Sequence, residues 1–387
     1  MGNEIFEVTD GKSDRAVIRV IGVGGGGCNT VNQMVETGID GVDFICANTD
    51  RQHLERCKTT AILQLGQELT RGLGAGSNPD LGRQAALEDK DRIKELIEGT
   101  DLLFVTAGMG GGTGTGAAPV IAEIAKELQV LTVAVVTKPF LHEGKKRMAS
   151  AMKGIEELEK FADSMVLIPN EKLKLVMGPA ATVVAAYKAA NDVLQNAVQG
   201  ISDLITRPGL QNVDFADVKT VMLNRGKAMM GLGSGSGEKR AEQAVEMALS
   251  SPLLDDLELS NARGVLVNIC CDASLNLDEV GLIMERVMGI ASEDVDVKYG
   301  TSLDPALNGE MRVTVVATGL GGKVIVPSSS VVTPITSATA KRTVNFDEPA
   351  IVRVSAGGKR GMPESLSHLV MDEQLLDIPA FLRAQAD

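Results

Sequence analysis

Two glycine-dense stretches carry the first chemical signal in this 387-residue sequence. One, Gly22-Val23-Gly24-Gly25-Gly26-Gly27-Cys28-Asn29, follows an apolar, strand-like run at 16–23 and opens a helix-like segment. Without Cβ atoms the backbone amides can approach an anion, and a helix N-terminus adds positive potential. The stretch satisfies GxGxxG, yet a tight strand-to-helix crossing places glycines in the same way. Asp50, just beyond a second strand at 44–48, stands where a dinucleotide enzyme keeps its ribose-binding acid. A Rossmann-type oxidoreductase is therefore one reading.

The other stretch, Gly108-Met109-Gly110-Gly111-Gly112-Thr113-Gly114-Thr115-Gly116, again sits between a strand and a helix. Six glycines in nine residues cost chain entropy that a simple turn does not require. A second nest of amides with two hydroxyls suits a further phosphate, so two facing loops fit a triphosphate better than a pyrophosphate. Gly11-Lys12-Ser13 imitates the end of a P-loop, but Phe6 replaces the required glycine and the segment precedes a strand. Phosphate charge must then be met by backbone amides, helix dipoles and a cation. Asp214 and Asp217, three residues apart at a helix start, share one face. On pattern alone they read as an N-cap and a first-turn acid.

Strand-like runs at 16–23, 44–48, 102–106, 130–136 and 165–169 alternate with helical segments. Such continuous aliphatic runs imply a parallel sheet covered on both faces, a doubly wound α/β domain. Asn78 and Pro79 open a helix expected to run to Glu98. The 182–206 segment is apolar on nearly every face, so it is expected to be a buried spine between two domains. A smaller α/β domain follows, with helices at 241–249 and 277–287 and strands at 264–271, 295–299 and 312–318. Beyond residue 322 the sequence is rich in Ser, Thr, Pro and Gly and reads as a disordered linker. It ends in an apolar-plus-charged peptide at 376–383, either a frayed end or a motif that folds into a partner's groove.

A formal charge of −13 argues against a nucleic-acid surface while leaving room for one bound nucleotide. Five cysteines without CxxC or Cys/His metal spacing suit a reduced, cytoplasmic compartment, and no protein-held metal is expected. His53, His142 and His368 read as solvated surface. The start lacks a signal-peptide pattern, and the apolar run at 130–136 is too short to span a bilayer.

The motifs at 110–116 (GGGTGTG), 22–29 (GVGGGGCN), 48–50 (NTD), 137–140 (TKPF), 143–147 (EGKKR), 189–194 (AANDVL) and 212–218 (NVDFADV) occur together in order. Over about residues 14–320, and again at 377–383 (DIPAFLR), the chain resembles the FtsZ family of tubulin-like bacterial cell-division GTPases. The resemblance implies an N-terminal tail (1–14), a GTPase domain (15–180), a central helix (181–206), a C-terminal α/β domain (207–320), a linker (321–375) and a partner-binding peptide (376–387). GTP or GDP would lie against Gly25, Gly26, Gly27, Cys28 and Asn29, with Asn48 behind them and Gly112, Thr113 and Gly114 opposite. Ala75 and Gly76 match the loop that senses the γ-phosphate, and Glu143 and Arg147 match ribose and phosphate contacts. Asn170 and Asp192 match the pair that reads guanine, with Tyr187 beside the base. Asn212, Asp214 and Asp217 match the catalytic loop that reaches the nucleotide of a neighbouring subunit. Mg2+ would be bound mainly through phosphates and water. Cys28 stands where relatives often carry a smaller residue, and a reactive thiol at a helix start is one consequence. The family further implies a head-to-tail homopolymer in a midcell division ring. Residues 376–387 would dock on membrane tethers such as FtsA and on regulators, so the membrane is met only indirectly.

Overall fold

The computed structural model describes residues 16–320, apart from 60, 179, 208, 210, 224–225, 255–261 and 293–294. The N-terminal tail to residue 14, the linker and the terminal peptide lie outside the described residues. The first half runs β1 (Ile18–Val23), α1 (Gly24–Thr37), β2 (Val42–Asn48), α2 (Arg51–Leu54), β3 (Ala61–Gln64), α3 (Gln67–Thr70), α4 (Pro79–Glu88), α5 (Lys90–Ile97), β4 (Leu102–Gly108), α6 (Thr113–Glu127), β5 (Leu131–Lys138), α7 (Lys145–Glu159), β6 (Ser164–Pro169) and α8 (Asn170–Met177). The second half runs α9 (Val183–Thr206), α10 (Phe215–Met222), β7 (Gly226–Gly235), α11 (Arg240–Leu249), β8 (Gly264–Cys271), α12 (Leu277–Met288), β9 (Asp296–Leu303) and β10 (Met311–Leu320).

All ten strands form one sheet in the order β3-β2-β1-β4-β5-β6-β7-β10-β8-β9. The strands from β3 to β7 are parallel, β10 runs antiparallel to both β7 and β8, and β9 is parallel to β8. Alternate residues of the buried strands feed opposite faces. Val20, Phe104, Val133 and Val135 pack with α1 and α9, while Ile21, Val105, Ala134 and Val136 pack with α4 to α7. A third cluster joins β8 and β10 to α11 and α12. Each fully buried Val, Leu or Ile contributes roughly 1.5–3 kcal/mol, so the aromatic-poor core is carried by aliphatic number.

Four expectations from the sequence change. The helix expected from Pro79 to Glu98 breaks at Asp89, which turns inward: its carboxylate accepts from Gly66 N at 2.7 Å and Arg92 Nη1 at 2.8 Å. The spine helix α9 is capped by Thr182, but its first turns are not buried, with Val184 80% exposed; burial begins at Ala190. β3 was hidden by its four-residue length and edge position. β7 was hidden by glycine, and the reason is steric. Cβ atoms on Gly231, Gly233 and Gly235 would lie 2.0, 1.9 and 2.1 Å from the carbonyl oxygens of Ala248, Ala244 and Arg240. The strand thus presents a side-chain-free stripe on which α11 rests, where sequence alone reads a loop.

Candidate nucleotide site

Every helix starts with backbone N–H groups that have no partner inside the helix. The N-caps of α1 and α6 are Val23 and Gly112; neither supplies a side-chain acceptor, and neither first turn holds an acid. These two uncapped ends meet. A Cβ on Gly24 would lie 2.8 Å from Gly114 N, and one on Gly26 would lie 3.2 Å from Gly108 Cα. Gly22, Gly24 and Gly27 are therefore glycine for packing, since Cβ atoms there would strike Gly27 O, Gly114 N and Thr106 O. Gly25 and Gly26 are exposed, and Gly76 and Gly111 face open space. Two converging amide sets with no internal acceptor make an anion site.

The third loop closes on the second. Arg51 N donates to Gly72 O at 3.0 Å and Gly74 N to Thr49 O at 3.2 Å, while Asp50 and Leu73 form an isolated bridge. The hydroxyls of Thr49 and Thr113 lie 2.6 Å apart. A Cβ on Gly112 would lie 2.8 Å from that of Ala75 and 2.9 Å from Asn78 N. Asn48 is buried at the end of β2, its Oδ1 accepting from Asp50 N at 3.3 Å. Asp50 itself caps α2 by accepting from His53 N at 3.2 Å. Its carboxylate is thus engaged within the chain.

Further along, Glu143 accepts from Phe140 N at 2.8 Å and pairs with Arg147 Nε at 3.1 Å. Arg147 in turn abuts Gly110, beside the second loop. Tyr187 meets Phe140 edge-on with ring centroids 5.4 Å apart, and burial followed by the Glu143 charge raises its phenol. Asn29 and Asp192 line one cavity of about 480 Å³ with Asn32, Gln33, Lys188 and Gln195. Gln33 Nε2 donates to Asp192 Oδ1 at 2.5 Å and to Gln195 Oε1 at 3.0 Å. Thr30 ties α1 to α9 through Asn191 Oδ1 at 3.0 Å. Asn170 opens α8 with its side-chain oxygen buried and without a protein partner, the kind of atom a ligand satisfies.

Asn212, Asp214 and Asp217 are not brought to these loops. Asn212 Oδ1 accepts from Gly209 N at 2.8 Å, Asp214 is the N-cap residue of α10, and Asp217 pairs with Lys298 at 3.2 Å. α10 packs on β8 and β9, whereas the phosphate loops follow β1 and β4. Four strands separate β4 from β8, which amounts to about 24 Å across the sheet. Along the other axis, α9 touches α1, the helix that the first loop opens, through Asn191 and Asp192 but ends at Thr206 against Gly41, where the chain enters β2. Those fifteen residues advance the chain roughly 22 Å. The acids and the glycine loops occupy opposite ends of the parallel strands.

Two sequence readings are corrected here. Cys28 is fully buried and its thiol points beneath the loop, donating to Gly22 O at 3.5 Å and Ala47 O at 3.7 Å. Hydrogen bonds shared with Cys46 and Cys57, together with burial, push that thiol well up, so it is not the reactive one. Cys57 is the lowered thiol, brought to about 6 chiefly by the Cys28 hydrogen bond. Nor is His53 a solvated surface residue: it is half-buried, with Cε1 3.8 Å from where a Gly25 Cβ would stand. Sequence reasoning also missed Thr49, Gln33 and Asn191, whose roles depend on contacts across 64 to 161 residues.

The site and fold define an α/β protein with an anion site built of backbone amides. The chain matches the model of the Tubulin/FtsZ family, GTPase domain, over residues 17–178, and of the FtsZ family, C-terminal domain, over 226–321. It belongs to the Tubulin/FtsZ family of GTPases. It is 52% identical over 382 residues to the cell division protein FtsZ of Coxiella burnetii, covering 98% of this chain and 99% of that one. It is 50% identical over 395 residues to cell division protein FtsZ of Pseudomonas aeruginosa, covering 99% and 100%. A solved FtsZ dimer from M. jannaschii superposes with TM-score 0.77 at 46% identity, covering 80% of this chain and 89% of that one. A CetZ2 protofilament from Haloferax volcanii shares the fold, with TM-score 0.66 at 22% identity over 81% and 96%. The oxidoreductase alternative has no support, and Asp50, the acid it relied on, serves as the N-cap of α2.

Proposed function

We propose that the chain hydrolyses GTP only when assembled head to tail, as a cell-division polymer. The observation that carries this is the placement of the glycine loops and of Asp214 and Asp217 at opposite ends of one molecule. A second copy stacked along the same axis presents its acids to the first copy's nucleotide. Such a contact uses two different surfaces and does not close, so it propagates into a filament.

In this reading Gly25, Gly26, Gly27, Asn29, Gly112, Thr113 and Gly114 hold the phosphates through amides and helix dipoles. Ala75 and Gly76 close over the terminal phosphate. Asn170, Tyr187 and Asp192 hold the base, and Glu143 and Arg147 make ribose and phosphate contacts. The neighbour's Asp214 and Asp217 orient and polarise the attacking water, with Asn212 supporting their loop; positioning and charge stabilisation do the rest. The two helix starts hold no carboxylate for a metal. Mg2+ therefore fits as an ion held by phosphate oxygens and water, supplying charge neutralisation when bound.

The domain limits 15–180, 181–206 and 207–320 belong to the same reading, supported by family matches on either side of α9. So do the midcell ring and the docking of residues 376–387 on membrane tethers such as FtsA; those residues lie outside the described structure. Among the described residues no helix is long and apolar enough to cross a membrane. GTP turnover measured with light scattering across protein concentrations tests the reading. Turnover per molecule is expected to rise steeply above a threshold concentration, together with scattering. Constant turnover per molecule at all concentrations would overturn it.

A further inference from the structure

A cluster of two thiols and an imidazole lies under the first glycine loop, and the nucleotide reading makes no use of it. Cys28 Sγ, a ring nitrogen of His53 and Cys57 Sγ all lie within 4.8 Å of one another. They come from three places: the start of α1, the short helix α2, and the turn that follows it. His53 and Cys57 are four residues apart, and Cys57 N donates to Leu54 O at 3.0 Å, so the turn continues and keeps both on one side. Cys46, on β2, donates its thiol to the Cys28 carbonyl oxygen at 4.0 Å.

We propose that Cys28, His53 and Cys57 form a binding site for a thiophilic divalent cation, zinc above all, directly beneath the phosphate loop. The chemistry of the donors selects the ion. Two thiolates and one imidazole suit zinc, whereas the magnesium of a nucleotide seeks oxygen. The spacing suits it as well. Zn–S bonds of about 2.3 Å and Zn–N bonds of about 2.0 Å in a tetrahedron put neighbouring ligand atoms roughly 3.5–3.8 Å apart, a small contraction of the cluster seen here.

What the ion displaces is weak: thiol hydrogen bonds of 3.5 and 3.7 Å from Cys28 and 3.6 Å from Cys57 to carbonyl oxygens. Each thiol releases a proton to solvent on binding, so the filled site carries no net charge beneath the phosphates. The fourth position is left to water. An outer shell is present too. Asn32 stands beside Cys57 and is held by Lys58 N donating to its Oδ1 at 2.8 Å. Cys28 is buried but His53 and Cys57 are half-buried, which leaves an entry path.

The test is titration of the reduced full-length chain with cobalt(II) in excess Mg2+, followed by zinc competition. The expected result is one equivalent of cobalt showing sulfur-to-metal charge-transfer absorption and the strong visible bands of tetrahedral cobalt, both abolished by one equivalent of zinc. Cys57→Ser should lose the absorption or weaken binding at least about 100-fold while still binding GTP. Cys270→Ser and Cys271→Ser, altering buried thiols of β8, should leave it intact. Absence of charge-transfer absorption in the wild type would overturn the proposal. Its persistence with undiminished affinity in Cys57→Ser, or its loss in the β8 variants, would do the same.

Discussion

Gly112 and Ala75 are packed so closely that a Cβ on the glycine would begin 2.8 Å from the alanine's own. The second and third loops therefore touch through a contact only glycine allows. The Thr49–Thr113 hydroxyl pair, 2.6 Å apart, locks the same junction from below. Nucleotide affinity depends on this junction because it sets where the amides of α6 point.

Gly112→Ala should push the turn at Ala75 and Asn78 outward. Overpacking of this kind costs about 1–3 kcal/mol of stability. The chain should remain folded by circular dichroism while its affinity for a fluorescent GTP analogue falls at least about tenfold. Unchanged affinity would mean that the loop contact does not shape the site.

The parallel half of the fold and the two glycine loops were legible because their signal is local: aliphatic runs, glycine clusters, and Pro79 after Asn78. What the sequence concealed depends on partners distant along the chain. β7 reads as loop until α11 is laid on its glycines, and Asp89 breaks a helix because Gly66, 23 residues earlier, needs an acceptor. Asp214 and Asp217 announce a helix start, but only α9 and the sheet order place them at the far end of the molecule. His53 with Cys57 held a one-turn spacing that could have been noticed; Cys28 could not have been joined to them without the fold.

Asp192 faces the cavity it shares with Asn29, and Gln33 fixes its carboxylate at 2.5 Å. A charged acceptor toward guanine N1–H and N2–H contributes about 1.5–3 kcal/mol. Asp192→Asn should therefore weaken GTP binding about 10- to 100-fold by calorimetry and narrow the preference over ATP. An undiminished preference would remove Asp192 from base recognition.

Asp203, on α9, is buried, and its carboxyl is pushed up to about 6 by desolvation, which the nearby Arg207 only partly offsets. Arg207 Nε stands 3.0 Å away as an ion pair without hydrogen-bond alignment. The unfolded chain binds this proton with a value near 3.8, so the folded state holds it more tightly. That stabilisation is complete below about pH 4 and is lost as pH rises through about 6, at most roughly 3 kcal/mol. Asp203→Asn should melt at or above wild type at pH 8, with the difference shrinking toward pH 5. A difference independent of pH would contradict this.

Asp217→Ala should keep GTP binding and lose turnover, since the residue is remote from its own nucleotide and pairs only with Lys298 among the described residues. Gly112→Ala should lose turnover for the opposite reason. Mixing the two is the most direct measurement of the central claim, because one supplies an intact nucleotide end and the other an intact acid end. GTP hydrolysis by the mixture should rise well above the sum of the separate variants. Turnover equal to that sum at every ratio, or wild-type turnover by Asp217→Ala alone, would contradict catalysis across the subunit contact.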